Sequence, residues 1–253
     1  MPRLVRLLGY TVVGVAIYGT HQKLTHLEEK YPGLPHSAGS QALRTARPNN
    51  HCAYVDIYAA QIPLRALQAR LKEPSLKEPS KISLENAWAR SIFSSRILRA
   101  EGLLIGLFTN HHSPYTGDAG FAPDENGARV LLNGGLQVQR EPGADEDSNG
   151  LLVSMRLPDG PRVFFEKIAR WGYLWRLMSC VRHEMSVSEP WEENGEKVVE
   201  VRFASAHEYE IVEDEGEQQK ILPAWVLRLH RGFARYVLDS TVEEVREFER
   251  TRL

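Results

Sequence analysis

The sequence predicts an α+β fold in which an antiparallel sheet is followed by one long C-terminal helix. Two observations lead to this prediction. Between about residue 128 and about residue 210, apolar residues recur at every second position, as they do in β-strands. After Pro223 the period becomes helical, and Pro is common in the first turn of a helix. The apolar stripe of that helix consists of Trp225, Leu229, Gly232, Phe233, Tyr236 and Val237.

Composition excludes several classes of protein. Of the 253 residues, 42% are hydrophobic and 25% are charged, which is ordinary for a globular protein. The formal net charge of −2 leaves no basic footprint, so we expect no nucleic-acid partner. The two cysteines, Cys52 and Cys180, are far apart in apolar surroundings. This favours free thiols in a reducing compartment such as the cytoplasm.

The N-terminal residues, 1–31, form a predicted helical extension. Arg3, Arg6 and Lys23 all precede the first acidic residue, Glu28, and the apolar run at 7–18 is too short to span a bilayer. Three interpretations are open: a helix packed on the domain, a mitochondrial presequence, or membrane contact through residues 1–30. Pro and Gly residues at 32–50 predict a linker, and we expect residues 51–253 to form the main domain.

The main domain begins with a predicted strand at 51–59. Alternation places Tyr54, Asp56 and Tyr58 on one face and aliphatic residues on the other. A short helix is predicted from about residue 63 to 72. A stronger helical pattern follows, with Ser83 as the expected N-cap and apolar residues at helical spacing up to residue 97.

The period-two region divides into six predicted strands. Strands at 129–132 and 136–140 are separated by Asn133-Gly134-Gly135, and strands at 151–157 and 162–168 are joined through Pro158-Asp159-Gly160, a hairpin signal. Two longer strands follow, at 179–189 and 197–212. The last helix then presents Arg228, Arg231 and Arg235 on its outward face, where they meet solvent or, alternatively, an anionic head group.

This element order, with the passage VEVRFASAHEYEIVED followed by PAWVLRLHRGFARYVL, resembles the START-like, or polyketide-cyclase-like (SRPBCC), superfamily over roughly residues 50–250. The chain is also similar to uncharacterised fungal proteins linked with small-molecule metabolism. The resemblance implies a helix-grip fold, in which a curved antiparallel sheet wraps around the long C-terminal helix. It also implies a cavity for a lipophilic small molecule between the sheet and that helix.

The two long strands carry the candidate catalytic residues. The apolar faces of both strands consist of odd-numbered residues, so they pack on one core only if odd residues pair with odd ones. A loop of three residues, Glu193-Asn194-Gly195, gives this pairing. His183 would then lie opposite Ser205 and diagonal to His207, about 7–8 Å away. Two imidazoles facing a cavity predict acid–base chemistry, with Tyr209 assisting. The alternative is that each His only satisfies a core hydrogen bond.

Asp56 is the fourth candidate catalytic residue. If its face of the first strand is internal, we expect a buried carboxylate with a raised pKa and an acid or base role. If that face is external, Asp56 and the flanking tyrosines form a solvated edge.

The candidate substrate-binding residues are mostly aromatic. The cluster of Trp171, Tyr173, Trp175 and Arg176 forms either an aromatic lid with a cation or part of the core. The full set is Tyr54, Tyr58, Trp171, Trp175, Arg176, Phe203, Ser205, Trp225 and Phe233.

We expect no cofactor and no metal. The chain contains no GxGxxG after a strand, no Walker loop, no GxSxG elbow and no metal-ligand spacing. A loop with Asn110, His111, His112 and Asp118 offers the only metal-ligand alternative, and it matches no known spacing.

These observations favour a cofactor-independent enzyme of secondary metabolism. The resemblance implies a lipophilic polyketide- or terpenoid-like substrate and acid–base cyclisation, dehydration or isomerisation. One alternative is a non-catalytic lipid or sterol carrier, which would need apolar walls and a single orienting contact. Another is a membrane-associated or mitochondrial structural protein.

Overall fold

A computed structural model of the chain describes residues 18–71, 79–107, 117, 120–123, 127, 129–144 and 149–252. It is an α+β structure, as predicted, built on a curved antiparallel sheet of seven strands. The strands are β1 Asn50–Pro63, β2 Val130–Leu131, β3 Leu136–Arg140, β4 Leu151–Arg156, β5 Cys180–Val187, β6 Trp191–Glu193 and β7 Glu196–Glu210. Their order in the sheet is β1-β7-β5-β4-β3-β2, and β6 pairs with β7 beyond the end of β5.

Seven α-helices accompany the sheet in the described part of the chain, together with two short 3-10 helices, His36–Ala38 and Glu213–Glu215. The α-helices are α1 at 18–30, α2 Gln41–Arg44, α3 Leu64–Gln68, α4 Lys81–Ser94, α5 Arg96–Gly106, α6 Asp159–Arg170 and α7 Ala224–Arg252. Helix α4 begins one turn earlier than predicted, because Ser80 rather than Ser83 caps it and accepts a hydrogen bond from the Ser83 amide. Of the predicted N-terminal extension, residues 1–17 lie outside the described residues.

Helix α7 lies on the inner face of the sheet, but it is rotated from the predicted orientation. Its buried side chains include Leu227, Ala234, Val237, Leu238, Thr241, Val242 and Val245. Most of the predicted apolar stripe is exposed instead: Trp225 is 66% exposed, Leu229 44% and Tyr236 43%.

Arg228, Arg231 and Arg235 of α7 point toward the protein, so the predicted solvent-facing arginine row is wrong. Arg228 pairs with Glu28 at 2.8 Å, and Arg231 pairs with Asp56 at 2.9 Å. Arg235 donates to the Tyr31 carbonyl and lies 4.2 Å from the centre of the Tyr58 ring. A guanidinium can be buried when carboxylates, carbonyls and aromatic rings satisfy it, and a hydrophobicity pattern cannot detect such partners.

The segment after β4 is also different from the prediction. Residues 162–168 form part of helix α6, not a strand, and β4 pairs with β5. The Pro158-Asp159-Gly160 sequence starts this helix, with Asp159 in its first turn and Lys167 and Arg170 in its last. The same residues that favour a hairpin turn also favour a helix N-terminus, so the local signal was ambiguous.

The predicted linker covers the outer face of the sheet. Leu43 of α2 is fully buried against a second apolar cluster that includes Val55, Ile57 and Ala206. Buried ion pairs surround this cluster: Glu184 binds Arg140 at 3.0 Å, and Glu208 binds Arg182 at 2.6 Å and Arg47 at 3.0 Å. Both faces of the sheet are therefore covered, and the outer face is held by charges as well as by apolar contacts.

The register between β5 and β7 is the one predicted, with His183 opposite Ser205. The predicted three-residue loop is wrong, however. Asn194 and Gly195, both at positive φ, form a two-residue turn that pairs Trp191 with Val198. The register shifts by one residue at Ser188, between β5 and β6, where the Ser188 hydroxyl accepts a hydrogen bond from the Glu200 amide. This shift restores the pairing of odd with odd residues between β5 and β7.

Gly150 makes the closest backbone approach at the start of β4. It adopts a φ of +75°, and a Cβ there would lie 1.9 Å from the Met185 carbonyl oxygen. Gly195 has nearly the same φ, +79°, with nothing within 4 Å of its would-be Cβ.

We expect Gly195→Ala to lower the free energy of unfolding by about 1 kcal/mol, since only the backbone conformation is disfavoured. Gly150→Ala should cost at least about 3 kcal/mol, because β4 and β5 must also separate. Urea denaturation of both variants measures the difference. Equal losses would contradict the close approach of the two strands.

Glu85 of α4 is also a buried carboxylate, but it takes no part in the ion pairs of the outer face. It is 1% exposed, and within the described part of the chain nothing hydrogen-bonds to its Oε1. Burial raises the pKa of Glu85 to about 7, opposed by Lys81 and Arg140.

Glu85→Gln should raise the free energy of unfolding by about 3 kcal/mol at pH 8 and by close to zero at pH 4. The unfolded chain loses this proton near pH 4.5, whereas the folded chain keeps it until about pH 7. The wild type is therefore destabilised as the pH rises through that window. Denaturation at several pH values tests this, and a pH-independent difference between the two proteins would contradict it.

Candidate functional site

The candidate site is a cavity of about 280 Å³ on the inner face of the sheet. Strands β4, β5 and β7 form its floor, and α4, α5 and α7 contribute its walls. The lining side chains are Ile92, Phe93, Leu98, Glu101, Ile105, Leu132, Leu136, Val153, Met155, Leu157, Met178, Val181, His183, Met185, Phe203, His230, Phe233, Ala234 and Val237. Of the predicted substrate-binding residues, Phe203 and Phe233 are among them.

Three of the four methionines in the chain, Met155, Met178 and Met185, line this cavity. Methionine is unbranched and polarisable, so its side chain adapts to the shape of a bound molecule. The wall therefore favours apolar ligands without imposing one rigid outline.

Among the described residues that line the cavity, three carry polar side chains: Glu101, His183 and His230. Each comes from a different element, namely α5, β5 and α7. Of this described lining, these three groups can exchange a proton with a bound molecule.

His183 is the predicted catalytic residue that the structure places in the cavity wall. Its Nδ1 lies 2.8 Å from the Ser205 Oγ, and its ring stacks on Phe203 with centroids 5.2 Å apart. Ser205 therefore positions the imidazole rather than lining the cavity. Burial lowers the pKa of His183 to about 3, with a further contribution from His230. The imidazole is neutral at physiological pH.

His230 was missed by the sequence reasoning. It lies on α7 between the buried residues Leu227 and Ala234, and burial lowers its pKa. Its ring meets that of His207 edge-on with centroids 4.5 Å apart, and no described residue hydrogen-bonds to its Nε2. Its position, three residues after Leu227 and four before Ala234, places it on the buried face of α7. It was overlooked because the apolar stripe predicted for α7 lies on a different face.

Glu101 was also missed. It is the one acid in the otherwise apolar and basic helix α5, and no described residue hydrogen-bonds or ion-pairs with its carboxylate. Burial raises the pKa of Glu101, which brings its proton exchange closer to neutral pH. The sequence signal that marks Glu101 is a lone acid within an amphipathic helix.

The other predicted catalytic residues lie outside the cavity. His207 is fully buried, with its Nδ1 3.2 Å from the Tyr54 hydroxyl and its ring stacked on Tyr54 at 4.5 Å. The hydroxyl of Tyr209 accepts a hydrogen bond of 3.2 Å from the Leu222 amide. These residues support the wall from behind, and no single ligand in the cavity contacts both His183 and His207.

Asp56 faces α7, so the internal alternative for the first strand is the one observed. Its carboxylate is not free, since both oxygens accept hydrogen bonds from the Arg231 guanidinium. That guanidinium also lies 5.1 Å from the centre of the Tyr54 ring. Asp56 and Tyr58, like Tyr54, contact the arginines of α7 and do not line the cavity.

The remaining predicted binding residues are spread over the surface and the segment after α6. Trp171 is 76% exposed, beneath the Lys167 ammonium, and Trp225 is exposed on α7. Trp175 stacks on Phe165 at 4.8 Å. Arg176 is buried and binds Glu215 at 3.2 Å. None of these four lines the cavity, so the predicted aromatic lid with a cation is absent from the described cavity wall.

Comparisons of this chain with protein-family models, with curated proteins and with solved structures found no match. Within the described residues, no three His, Cys, Asp or Glu side chains group together as metal ligands would. The candidate loop residues Asn110, His111, His112 and Asp118 lie outside the described residues. None of the described helices has both the length and the apolar character needed to cross a bilayer.

The buried imidazole of His207 should make folding sensitive to acid. Burial lowers the pKa of His207 to about 2, whereas an unfolded histidine binds its proton near pH 6.5. The free energy of unfolding therefore falls as the pH drops below 6.5, by up to about 1.4 kcal/mol per pH unit from this group.

His207→Gln removes the titration and keeps a group that can bond to the Tyr54 hydroxyl. Between pH 6 and pH 4 we expect the stability of this variant relative to wild type to improve by about 1 kcal/mol per pH unit. The exposed His36→Gln variant serves as the control and should show no such change. Parallel pH profiles of wild type and His207→Gln would contradict the burial of a neutral ring.

Proposed function

We propose that this protein binds a lipophilic small molecule in the cavity and acts on it as a cofactor-independent acid–base enzyme. The observation that supports this is the placement of Glu101, His183 and His230 in an otherwise apolar wall. Perturbed titratable groups around one apolar cavity are typical of catalytic sites. The proposal moves the acid–base role from His207, Tyr209 and Asp56 to Glu101 and His230, and keeps His183.

The chemistry follows from the protonation states of the three groups. The Glu101 carboxylate removes a proton from a carbon next to a carbonyl, and a neutral imidazole of His183 or His230 donates a hydrogen bond to the carbonyl oxygen. The product is an enolate whose oxygen accepts the imidazole hydrogen bond, while Glu101 holds the proton. Return of the proton to a different carbon completes an isomerisation, and its transfer to a departing hydroxyl completes the loss of water. Attack of the enolate carbon on a second carbonyl closes a ring, and the proton of Glu101 passes to the new alkoxide oxygen.

The substrate class follows from the wall. Sixteen of the nineteen lining residues are apolar, which suits a molecule with a hydrocarbon skeleton and a few oxygens, such as a polyketide or terpenoid. The resemblance to the START-like superfamily points to the same class.

We also propose a cytoplasmic location, because Cys52 and Cys180 are free thiols. Imaging of a C-terminally tagged chain tests this, and co-localisation with mitochondria would contradict it.

A lipid or sterol carrier is the second candidate, and the three adaptable methionines favour it. A carrier needs the apolar volume but no proton exchange. The two candidates therefore differ in their dependence on the Glu101 carboxyl group, and not in their dependence on the cavity.

Glu101→Gln separates the two. We expect a strain that lacks the gene, complemented with this variant, to form at least about 100-fold less product than with wild type and to accumulate the substrate. Metabolite profiling by mass spectrometry measures both. Glu192→Gln, an exposed acid on β6, is the matched control and should restore the wild-type profile.

Ala234→Phe, which fills the cavity, should abolish product formation for an enzyme and for a carrier alike. If Glu101→Gln restores the wild-type profile while Ala234→Phe does not, the carrier is correct and the acid–base proposal is wrong. If Ala234→Phe also restores it, the cavity has no part in the function.

A further inference from the structure

The described surface has an unusual concentration of exposed apolar side chains. Of sixteen large hydrophobic residues that are exposed, eleven lie in three short segments. These segments are the end of α5, residues 163–174 and the first part of α7. Their exposed residues are Leu103, Leu104, Leu107, Val163, Phe164, Trp171, Tyr173, Leu174, Trp225, Leu229 and Phe233. We call this set the apolar rim.

Two of the three segments of the apolar rim, those of α5 and α7, supply cavity walls, and the third segment leaves and rejoins the cavity wall at its two ends. Glu101 and Ile105 of α5 line the cavity, and so do Leu157 and Met178, which flank the segment of α6. Phe233 of α7 belongs to both sets: it lines the cavity and is 39% exposed. The cavity therefore reaches the surface within the rim.

Helix α6 shows that the rim is not simply an incomplete core. Phe164, Ile168 and Trp171 recur at the spacing of one helical face, yet Ala169 is the one residue of this helix that is buried. Trp171 and Leu174, which follow directly, are 76% and 85% exposed. Large apolar side chains that are exposed together in one short segment are typical of a surface that contacts a partner or a membrane.

The charges beside the rim select the partner. The acids of α6, Asp159 and Glu166, are paired with Arg162 and Arg170, and Glu101 of α5 faces the cavity. Lys167 of α6 and Arg99 of α5 are exposed, and the Lys167 ammonium lies 5.4 Å from the centre of the Trp171 ring. Tryptophan and tyrosine beside exposed cations are typical of surfaces that enter the head-group region of a bilayer containing anionic lipids.

We propose that the apolar rim docks on a phospholipid bilayer and that the cavity exchanges its lipophilic ligand directly with the membrane. This inference rests on the proposed function for the identity of the ligand, but the docking itself does not. It differs from the expected membrane contact of residues 1–30, since it assigns the contact to the cavity mouth.

The test uses the full-length chain and vesicles of phosphatidylcholine with 30% phosphatidylserine, as about that fraction of anionic lipid gives a clear surface potential. In vesicle flotation we expect wild type to bind and Leu107→Ser/Leu174→Ser to bind at least about tenfold more weakly. The control double variant, Ile82→Ser/Ile211→Ser, removes two residues that are 48% and 52% exposed elsewhere. It should bind as wild type does. All variants should melt at the wild-type temperature.

Three results would overturn the proposal. Undiminished vesicle binding by the Leu107→Ser/Leu174→Ser variant would exclude the rim. Loss of binding in Leu7→Ser/Leu8→Ser together with normal binding by the rim variant would assign the contact to the N-terminal segment. A wild-type dimer in light scattering that the rim substitutions convert to a monomer, without vesicle binding by either, would identify a second copy of the chain as the partner.

Glu101→Gln separates failure of docking from failure of the proposed function. This variant should bind vesicles as wild type does while product formation in the complemented strain is lost. If it binds vesicles and still forms product, the docking proposal holds and the acid–base proposal is wrong. If neither wild type nor any variant binds vesicles while Glu101→Gln remains inactive, the acid–base proposal holds and the docking proposal is wrong.

Discussion

The pairing of β5 with β7 is the constraint on which the rest of the structure depends. It places His183 beside Ser205 and Met185 beside Phe203 on the inner face. On the outer face, neighbouring residues of the same strands, Glu184 and Glu208, are buried in ion pairs with arginines. A shift of one residue would exchange the two faces and bury these charges in the apolar core. The register is therefore fixed from both sides of the sheet, by apolar burial and by the cost of unpaired charge.

The cavity exists because α7 is attached to one edge of the sheet and not to its centre. Arg231 binds Asp56 of β1 and Arg235 lies on the Tyr58 ring, so the helix is fastened to the edge of the sheet that β1 forms. The cavity lies over β4, β5 and β7, and no residue of β1 lines it. The polar face of β1, a candidate for catalysis on sequence grounds, thus serves to position the helix. Its tyrosines and Asp56 act on the site indirectly, through the placement of His230.

One physical effect sets the protonation of the whole site. Removal from water disfavours charge, so it lowers the pKa of His183 and His230 and raises that of Glu101. The apolar wall that would bind a lipophilic molecule is the same wall that keeps the imidazoles neutral. Under the proposed function, ligand affinity and acid–base character are therefore coupled, and a substitution that admits water to the cavity should weaken both. The exposed rim extends the same apolar character to the surface.

The sequence by itself determined the fold class, the antiparallel strands and the pairing of His183 with Ser205, because alternation at period two is a local property that every strand displays. His183, Phe203 and Phe233 were expected at the cavity from the sequence, whereas the buried face of α7, the helix at residues 162–168 and the places of Glu101 and His230 depend on tertiary structure. Arg228, Arg231 and Arg235 resemble a solvated row until Glu28, Asp56 and Tyr31 are brought to them from about 200 residues away. Glu101 and His230 are remote from His183 in sequence, and a cavity that joins three elements leaves no periodic signal in any one of them.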